Sequence, residues 1–351
     1  MSAAELAPHA SRDGSVVVLS TRAFTAEHLE VLRSVSPALE LRQHSAESGD
    51  EVADLLTPDV EVLYTSFPPA KLPGGSRLRW VQFHKAGIDH VPGTPLWDAE
   101  VALTTASGVH AVTIAEYTVG LMLAMARRLP EVVDLQRRRE MPPPGMAQPM
   151  LLGRELRGAT AVIVGYGAIG REVARLCQSF GMSVRAVRRS AGPSAHRGYS
   201  PPGTGDPDGR IPDEWYPITD LVTAVDGADY VVVATPLTAE TDGIVGRDVL
   251  AAMGGEAVLV NVARGRVVDE LALVEALGRG QIRGAALDAF AVEPLPARHR
   301  LWDAPNVIIS PHVSGGTPRY LDYAADLFSS NLSRYLAGQP LLNIVDRQRG
   351  Y

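Results

Sequence analysis

The chain has 351 residues, more than one hydrophobic core usually serves, so two domains are expected. Its 46% hydrophobic and 21% charged residues place both among globular folds. A formal charge of -7 without a long basic run argues against nucleic-acid or anionic-membrane binding and leaves a small molecule as the expected partner. The N-terminal stretch lacks an apolar core of signal-peptide length, and the longest apolar run, 117–126, is too short to span a bilayer, so a cytoplasmic protein is expected. The single cysteine, Cys177, rules out an internal disulfide framework and, within an apolar helical pattern, reads as a buried structural thiol.

In chain order, 14–20 (GSVVVLS) reads as a strand and 25–36 as a helix opened by a Thr cap. Residues 60–66, 78–87 and 101–108 read as further strands. This is an α/β module in its own right. From Thr113 a long apolar-periodic helix follows, then a Pro-rich loop at 141–149, and a second α/β series begins at about Leu151. One stretch, about 191–219, is dense in Gly and Pro without apolar periodicity; a structureless stretch of this length is either functional or a disordered insertion, and the disordered insertion is expected. The final helix, about 320–338, comes after the second series has run out of strands, so it is expected to pack back on the first domain.

Within the second series, 160–181 (TAVIVGYGAIGREVARLCQSFG) supplies a strand, a G-x-G-x-x-G loop at Gly165, Gly167 and Gly170, and a helix. The first glycine permits a tight turn, the second close approach to a pyrophosphate, and the third close helix–strand packing. The next strand, 183–187, runs into Arg188 and Arg189, where dinucleotide folds selective for an unphosphorylated ribose place a carboxylate. Arginines suit a 2'-phosphate, so NADP(H) is expected over NAD(H).

Four later strands each end in polar residues: Thr235 and Pro236; Arg264; Asp288 leading to Glu293; and Pro311 with His312. In a parallel sheet these carboxyl ends share one ligand crevice. A cation, a carboxylate and an imidazole there suit reduction of a 2-oxo acid: Arg264 clamps the carboxylate and polarises the carbonyl, His312 delivers the proton, and Glu293 orients His312. His84, His90 and His110 lack a convincing ligand spacing, and no metal is expected.

These stretches, with HKAGIDHV (84–91), ATPLTAETDGIVG (234–246), NVARGRVVDELALVEAL (261–277), GAALDAFAVEPLP (284–296) and NVIISPHVSGG (306–316), resemble the D-isomer-specific 2-hydroxyacid dehydrogenase family, including its glyoxylate/hydroxypyruvate reductases. The resemblance implies two α/β domains, Rossmann-like and flavodoxin-like, with a cleft between them. A coenzyme domain at 113–320 would be inserted into a discontinuous substrate domain at 1–112 and 321–351. It implies substrate binding by the amides of Ala86, Gly87 and Ile88 together with Arg264, and catalysis by Arg264, Glu293 and His312. Cofactor contacts are expected from Gly165, Gly167, Ala168, Ile169, Gly170, Arg188, Arg189, Thr235, Pro236, Thr241, Val262, Ala263, Asp288, His312, Ser314 and Gly315. A homodimer is expected, with the helix after Thr113 near its contact. Formate dehydrogenases of the family carry Gln in place of Glu293, and phosphite dehydrogenases place Lys where this chain has Ala86. Corepressors of the same fold bind NAD(H) and recruit peptides, and the intact Arg–Glu–His set favours an enzyme over that alternative.

Overall fold

A computed structural model describes residues 14–348 except 89, 144, 147, 148 and 150. Two compact units emerge. One comprises the described residues of Met1–Val109, Arg197–Pro201 and Thr317–Tyr351; the other comprises those of His110–His196 and Pro202–Gly316. The division therefore falls a few residues before 112 and 320, and the short piece 197–201 joins the first unit.

The first unit is built on a parallel sheet of β1 (Val16–Ser20), β2 (Leu39–Gln43), β3 (Val62–Thr65), β4 (Trp80–Phe83) and β5 (Ala102–Thr104), in the order β2-β1-β3-β4-β5. Strands β1, β3 and β4 are buried at every position, as parallel strands covered on both faces require. Thr25 and Ser48 cap the helices Ala26–Ser34 and Gly49–Leu55 by accepting from the His28 and Glu51 amides. The last helix, Tyr320–Leu336, packs on helix Ala26–Ser34 and buries Phe328 and Leu332 with Trp80 and Tyr64 of the sheet, as expected of a helix that follows the last strand.

The second unit carries β6 (Thr160–Val164), β7 (Ser183–Arg188), β8 (Glu214–Pro217), β9 (Tyr230–Val233), β10 (Val258–Asn261), β11 (Gly284–Leu287) and β12 (Val307–Ile309). All are parallel, in the order β12-β11-β10-β9-β6-β7-β8. The order reverses between β6 and β9, the switch point at which open α/β sheets bind ligands. Helix Ala168–Ser179, whose Cys177 is fully buried, packs with helix Ala111–Ala126 over one face of the sheet. Burial pushes the Cys177 thiol up to about 12.

Two sequence expectations change. The long helix after Thr113 begins at Ala111 and breaks after Ala126: Arg128 adopts φ 54°, and a second helix, Leu129–Arg138, restarts with Pro130 in its first turn. The 191–219 stretch is not structureless, because it contains β8 and a buried aspartate, Asp206, that accepts from the Tyr166 hydroxyl and the Arg210 and Ile211 amides. Polar satisfaction orders this segment, and apolar periodicity could not report it. Among the described residues no helix is long and apolar enough to cross a membrane.

Candidate active site

Strand register lines up the chemistry. Val187, Val164, Val233, Asn261, Leu287 and Ile309 form one row across β7, β6, β9, β10, β11 and β12. The residues just beyond that row are Arg188, Gly165, Ala234, Val262, Asp288 and Ser310. The expected cofactor and catalytic positions of this unit thus begin at one edge of one sheet.

The glycine loop fits a dinucleotide in its own geometry. Gly165 has φ 102°, and a Cβ there would lie 2.7 Å from the Ala234 carbonyl and the Thr235 amide nitrogen, so the loop presses against the end of β9. A Cβ at Gly170 would meet the Gly165 carbonyl oxygen at 2.1 Å, which closes the helix onto the strand. At Gly167, which caps helix Ala168–Ser179, a Cβ would meet nothing within 4 Å. That open face lies beside the first-turn amides of Ala168, Ile169 and Gly170, where helix geometry provides donors and a positive end for phosphate.

At the end of β7 the two arginines differ. Arg189 pairs with Glu240 at 2.9 Å, whereas Arg188 donates to the Gly192 carbonyl at 3.3 Å and to the Ser194 hydroxyl. No carboxylate occupies the ribose-reading position at the strand end.

His312 and Glu293 are brought together from 19 residues apart, His312 Nδ1 lying 3.0 and 2.8 Å from the two Glu293 carboxylate oxygens. With a carboxylate accepting, Nδ1 carries the hydrogen, and Nε2 is left as the exchanging nitrogen. Glu293 is itself fixed by the Phe290 amide at 2.9 Å. Arg264 joins this loop through its neighbour: a Cβ at Gly265 would stand 1.8 Å from the Phe290 carbonyl carbon, so only glycine permits the approach. Asn261, buried at the end of β10, donates to the Arg264 carbonyl at 3.1 Å and accepts from the Ala263 amide at 3.1 Å, shaping the turn that presents Arg264. The Arg264 side chain is half-buried and donates to the Ala263 carbonyl at 2.9 Å.

His312 adopts φ 55°, a left-handed conformation that costs a residue with a Cβ about 1–3 kcal/mol and persists where surroundings enforce it. Asp288 supplies the enforcement. Its carboxylate, 1% exposed, accepts from the Ser310 hydroxyl at 2.5 Å, the Val313 amide at 2.9 Å and the Ser314 amide at 3.0 Å, which clasps the turn on both sides of His312.

A family model described as the D-isomer specific 2-hydroxyacid dehydrogenase NAD binding domain matches residues 119–314. The chain belongs to this family. A glyoxylate reductase of Thermofilum pendens is 34% identical over 271 residues, covering 77% of this chain and 76% of the relative. Among solved structures, a D-isomer specific 2-hydroxyacid dehydrogenase family protein of Aeromonas salmonicida superposes with a TM-score of 0.72 at 29% identity, covering 95% of this chain and 99% of the other. An NADPH-dependent glyoxylate/hydroxypyruvate reductase of Sinorhizobium meliloti does so with 0.67 at 28% identity, covering 95% and 98%. The chain is therefore an NAD(P)-dependent 2-hydroxyacid dehydrogenase, an oxidoreductase with an NAD-binding domain.

Several expected cofactor residues of the dehydrogenase turn their polar atoms inward. Asp288 holds the His312 turn. The Thr241 hydroxyl donates to the Pro236 carbonyl at 2.6 Å and accepts from the Thr238 amide at 2.8 Å, so it shapes the loop that carries Thr235 and Pro236. Val262, Ala263 and Ser314 are buried, and Gly315 abuts the His110 ring, which a Cβ would meet at 3.1 Å. Ala86, Gly87 and Ile88 belong to the other unit, after β4 at the carboxyl edge of its sheet; Ala86 is exposed and Ile88 buried. Sequence reasoning missed Tyr117, whose hydroxyl lies 2.6 Å from Ser310 Oγ and extends the chain Tyr117–Ser310–Asp288 behind His312. It also missed Asn261. No motif joins Tyr117 to a partner 193 positions away, although a polar residue closing a buried strand, as Asn261 does, is a readable signal. Among the described residues no group of three or more His, Cys, Asp or Glu is placed to hold a metal ion.

Proposed function

We propose that this dehydrogenase reduces a small 2-oxo acid, glyoxylate or hydroxypyruvate, to the D-2-hydroxy acid, using NADPH in preference to NADH. The observation that carries the reaction is the His312–Glu293 pair, with Nδ1 on the carboxylate and a turn that Asp288 locks. The Gly165–Gly170 loop would hold the nicotinamide cofactor, which when bound would supply the hydride for the carbonyl carbon. Arg264 clamps the substrate carboxylate and draws charge onto the carbonyl oxygen. His312 Nε2 gives that oxygen its proton, and Glu293 stabilises the imidazolium before transfer; in the reverse direction His312 accepts the proton. Donation from the Ala86, Gly87 and Ile88 amides to the substrate carboxylate is part of the same proposal.

The cofactor preference is supported by the arginines at the end of β7 and the lack of a carboxylate there, and by the Sinorhizobium meliloti reductase described as NADPH-dependent. Cytoplasmic location and a homodimer complete the reading. Leu129, Val132 and Val133, spaced on one face of helix Leu129–Arg138 and 47%, 41% and 42% exposed, favour a contact there. Light scattering tests the dimer.

The deciding assay is initial-rate oxidation of NADPH and NADH, side by side, with glyoxylate, hydroxypyruvate, pyruvate and a bulky 2-oxo acid. Faster oxidation of NADPH than of NADH, with glyoxylate or hydroxypyruvate ahead of pyruvate and the bulky acid, supports the proposal. Preference for NADH refutes the cofactor half, and absence of turnover with glyoxylate and hydroxypyruvate refutes the substrate half.

A further inference from the structure

We propose that Ser194, in the Gly/Pro-rich segment after β7, is a specificity-determining positioning residue whose hydroxyl aims the Arg188 guanidinium at the 2'-phosphate of NADP(H). This rests on the cofactor preference proposed above.

Two guanidiniums converge on one neutral hydroxyl. Ser194 Oγ accepts from Arg188 Nη1 and, at 3.4 Å, from Arg171 Nη2, which also reaches the Ser194 carbonyl at 2.8 Å. Arg171 Nη1 takes the Asp206 carbonyl at 2.5 Å, and its guanidinium lies 4.9 Å over the Tyr166 ring. Among the described residues the hydrogen-bond acceptors of both side chains are carbonyl and hydroxyl oxygens, and neither forms an ion pair with a carboxylate. Arg189, by contrast, is already neutralised by Glu240. Burial lowers the Arg171 pKa from its ordinary value; the Tyr166 and Asp206 groups oppose this, and the nearby Arg188 charge adds a smaller push downward. An anion at the end of β7 relieves that like-charge pair, and the dianionic 2'-phosphate is the part of a dinucleotide whose ribose is read at this strand end.

Ser194 is held in place rather than carried on a free loop. A Cβ at Gly209 would lie 3.0 Å from both the Ser194 nitrogen and oxygen, and the His196 amide donates to the Pro207 carbonyl at 2.8 Å. The segment is in turn pinned to the glycine loop, because Tyr166, between Gly165 and Gly167, donates to the Asp206 carboxylate at 2.7 Å. The segment that lengthens this region is thus built onto the phosphate-binding loop and grips the arginine next to it.

The test is equilibrium binding of NADP+, NAD+, 2'-AMP and 5'-AMP to wild type, Ser194→Ala, Arg188→Ala and the double variant. Freeing a rotamer-rich side chain from its partner predicts about three- to tenfold weaker NADP+ and 2'-AMP binding in Ser194→Ala, with NAD+ and 5'-AMP unchanged within about twofold. In the Arg188→Ala background the Ser194 change then adds nothing. The inference is overturned by equal weakening of phosphorylated and unphosphorylated ligands, by no weakening, or by full additivity in the double variant. A wild-type enzyme that binds NAD+ as tightly as NADP+ overturns the cofactor preference itself, before any variant is made.

Discussion

Replacing Asp288 with asparagine keeps the size of the side chain and removes one acceptor from a site that uses both oxygens. One oxygen takes the Ser310 hydroxyl and the Val313 amide, and the other takes the Ser314 amide. The cheapest placement of the new carboxamide keeps its carbonyl on the first pair and turns its NH2 toward the Ser314 N–H. One charge-assisted bond is lost and two buried donors then oppose each other, at a combined cost of about 2–4 kcal/mol. For a unit of this size that lowers Tm by roughly 5–15 °C. The effect on turnover is larger than a simple stability loss implies, because the left-handed His312 turn loses the clasp on its far side. We expect kcat to fall by about 10- to 100-fold at temperatures where the variant is folded, since misplaced acid–base groups forfeit much of their contribution. Thermal melts and initial rates on the same preparation read both quantities. A variant with unchanged Tm and kcat refutes the clasp, and a lowered Tm with unchanged kcat refutes its link to His312.

Gly265→Ala is expected to push the 290–291 backbone away from Arg264, destabilising by about 1–3 kcal/mol and raising KM for the oxo acid; a neutral variant in melts and kinetics contradicts the close approach. Cys177 stays unreactive toward a thiol reagent in the native enzyme and reacts only as the chain unfolds, which a time course with and without denaturant measures. Burial pushes the Asp206 carboxyl up, but the Ile211 and Arg210 amides, the Tyr166 hydroxyl and the Arg171 charge outweigh it, leaving its pKa below the ordinary 3.8. Its folded pKa being depressed, its charge contributes stability that is present above the unfolded value and is lost as pH falls through the folded one. The urea midpoints of wild type and Asp206→Asn should therefore differ at neutral pH and converge in acid below the aspartate range.

What can be read from the chain is whatever the backbone enforces locally. Gly170 is required by a contact five residues away and Gly165 by a left-handed turn that closes on the neighbouring strand β9, so the G-x-G-x-x-G spacing reveals both even though the β9 contact itself is distant in sequence. Arg264, Glu293 and His312 are legible as a set because each follows a strand, and parallel pairing brings strand ends to one edge. Tyr117 and Ser310 are not, since their bond depends on how helix Ala111–Ala126 lies against the sheet. Asp288 reads as a cofactor contact in sequence, because a carboxylate at a strand end looks the same there whether it faces a ligand or three donors of its own chain. The 191–219 segment misleads for a related reason. Its order comes from Asp206, Arg171 and Tyr166 meeting across 40 residues, and its Gly and Pro content says only that it is neither helix nor long strand.

Proton transfer by His312 is tested most directly by the turnover of His312→Ala with glyoxylate and hydroxypyruvate, measured beside its dissociation constant for NADP+. A loss of about 10²- to 10⁴-fold in kcat with cofactor affinity preserved is expected, as removal of a positioned proton donor requires. Turnover close to that of the wild type would contradict this and take the proton transfer away from His312.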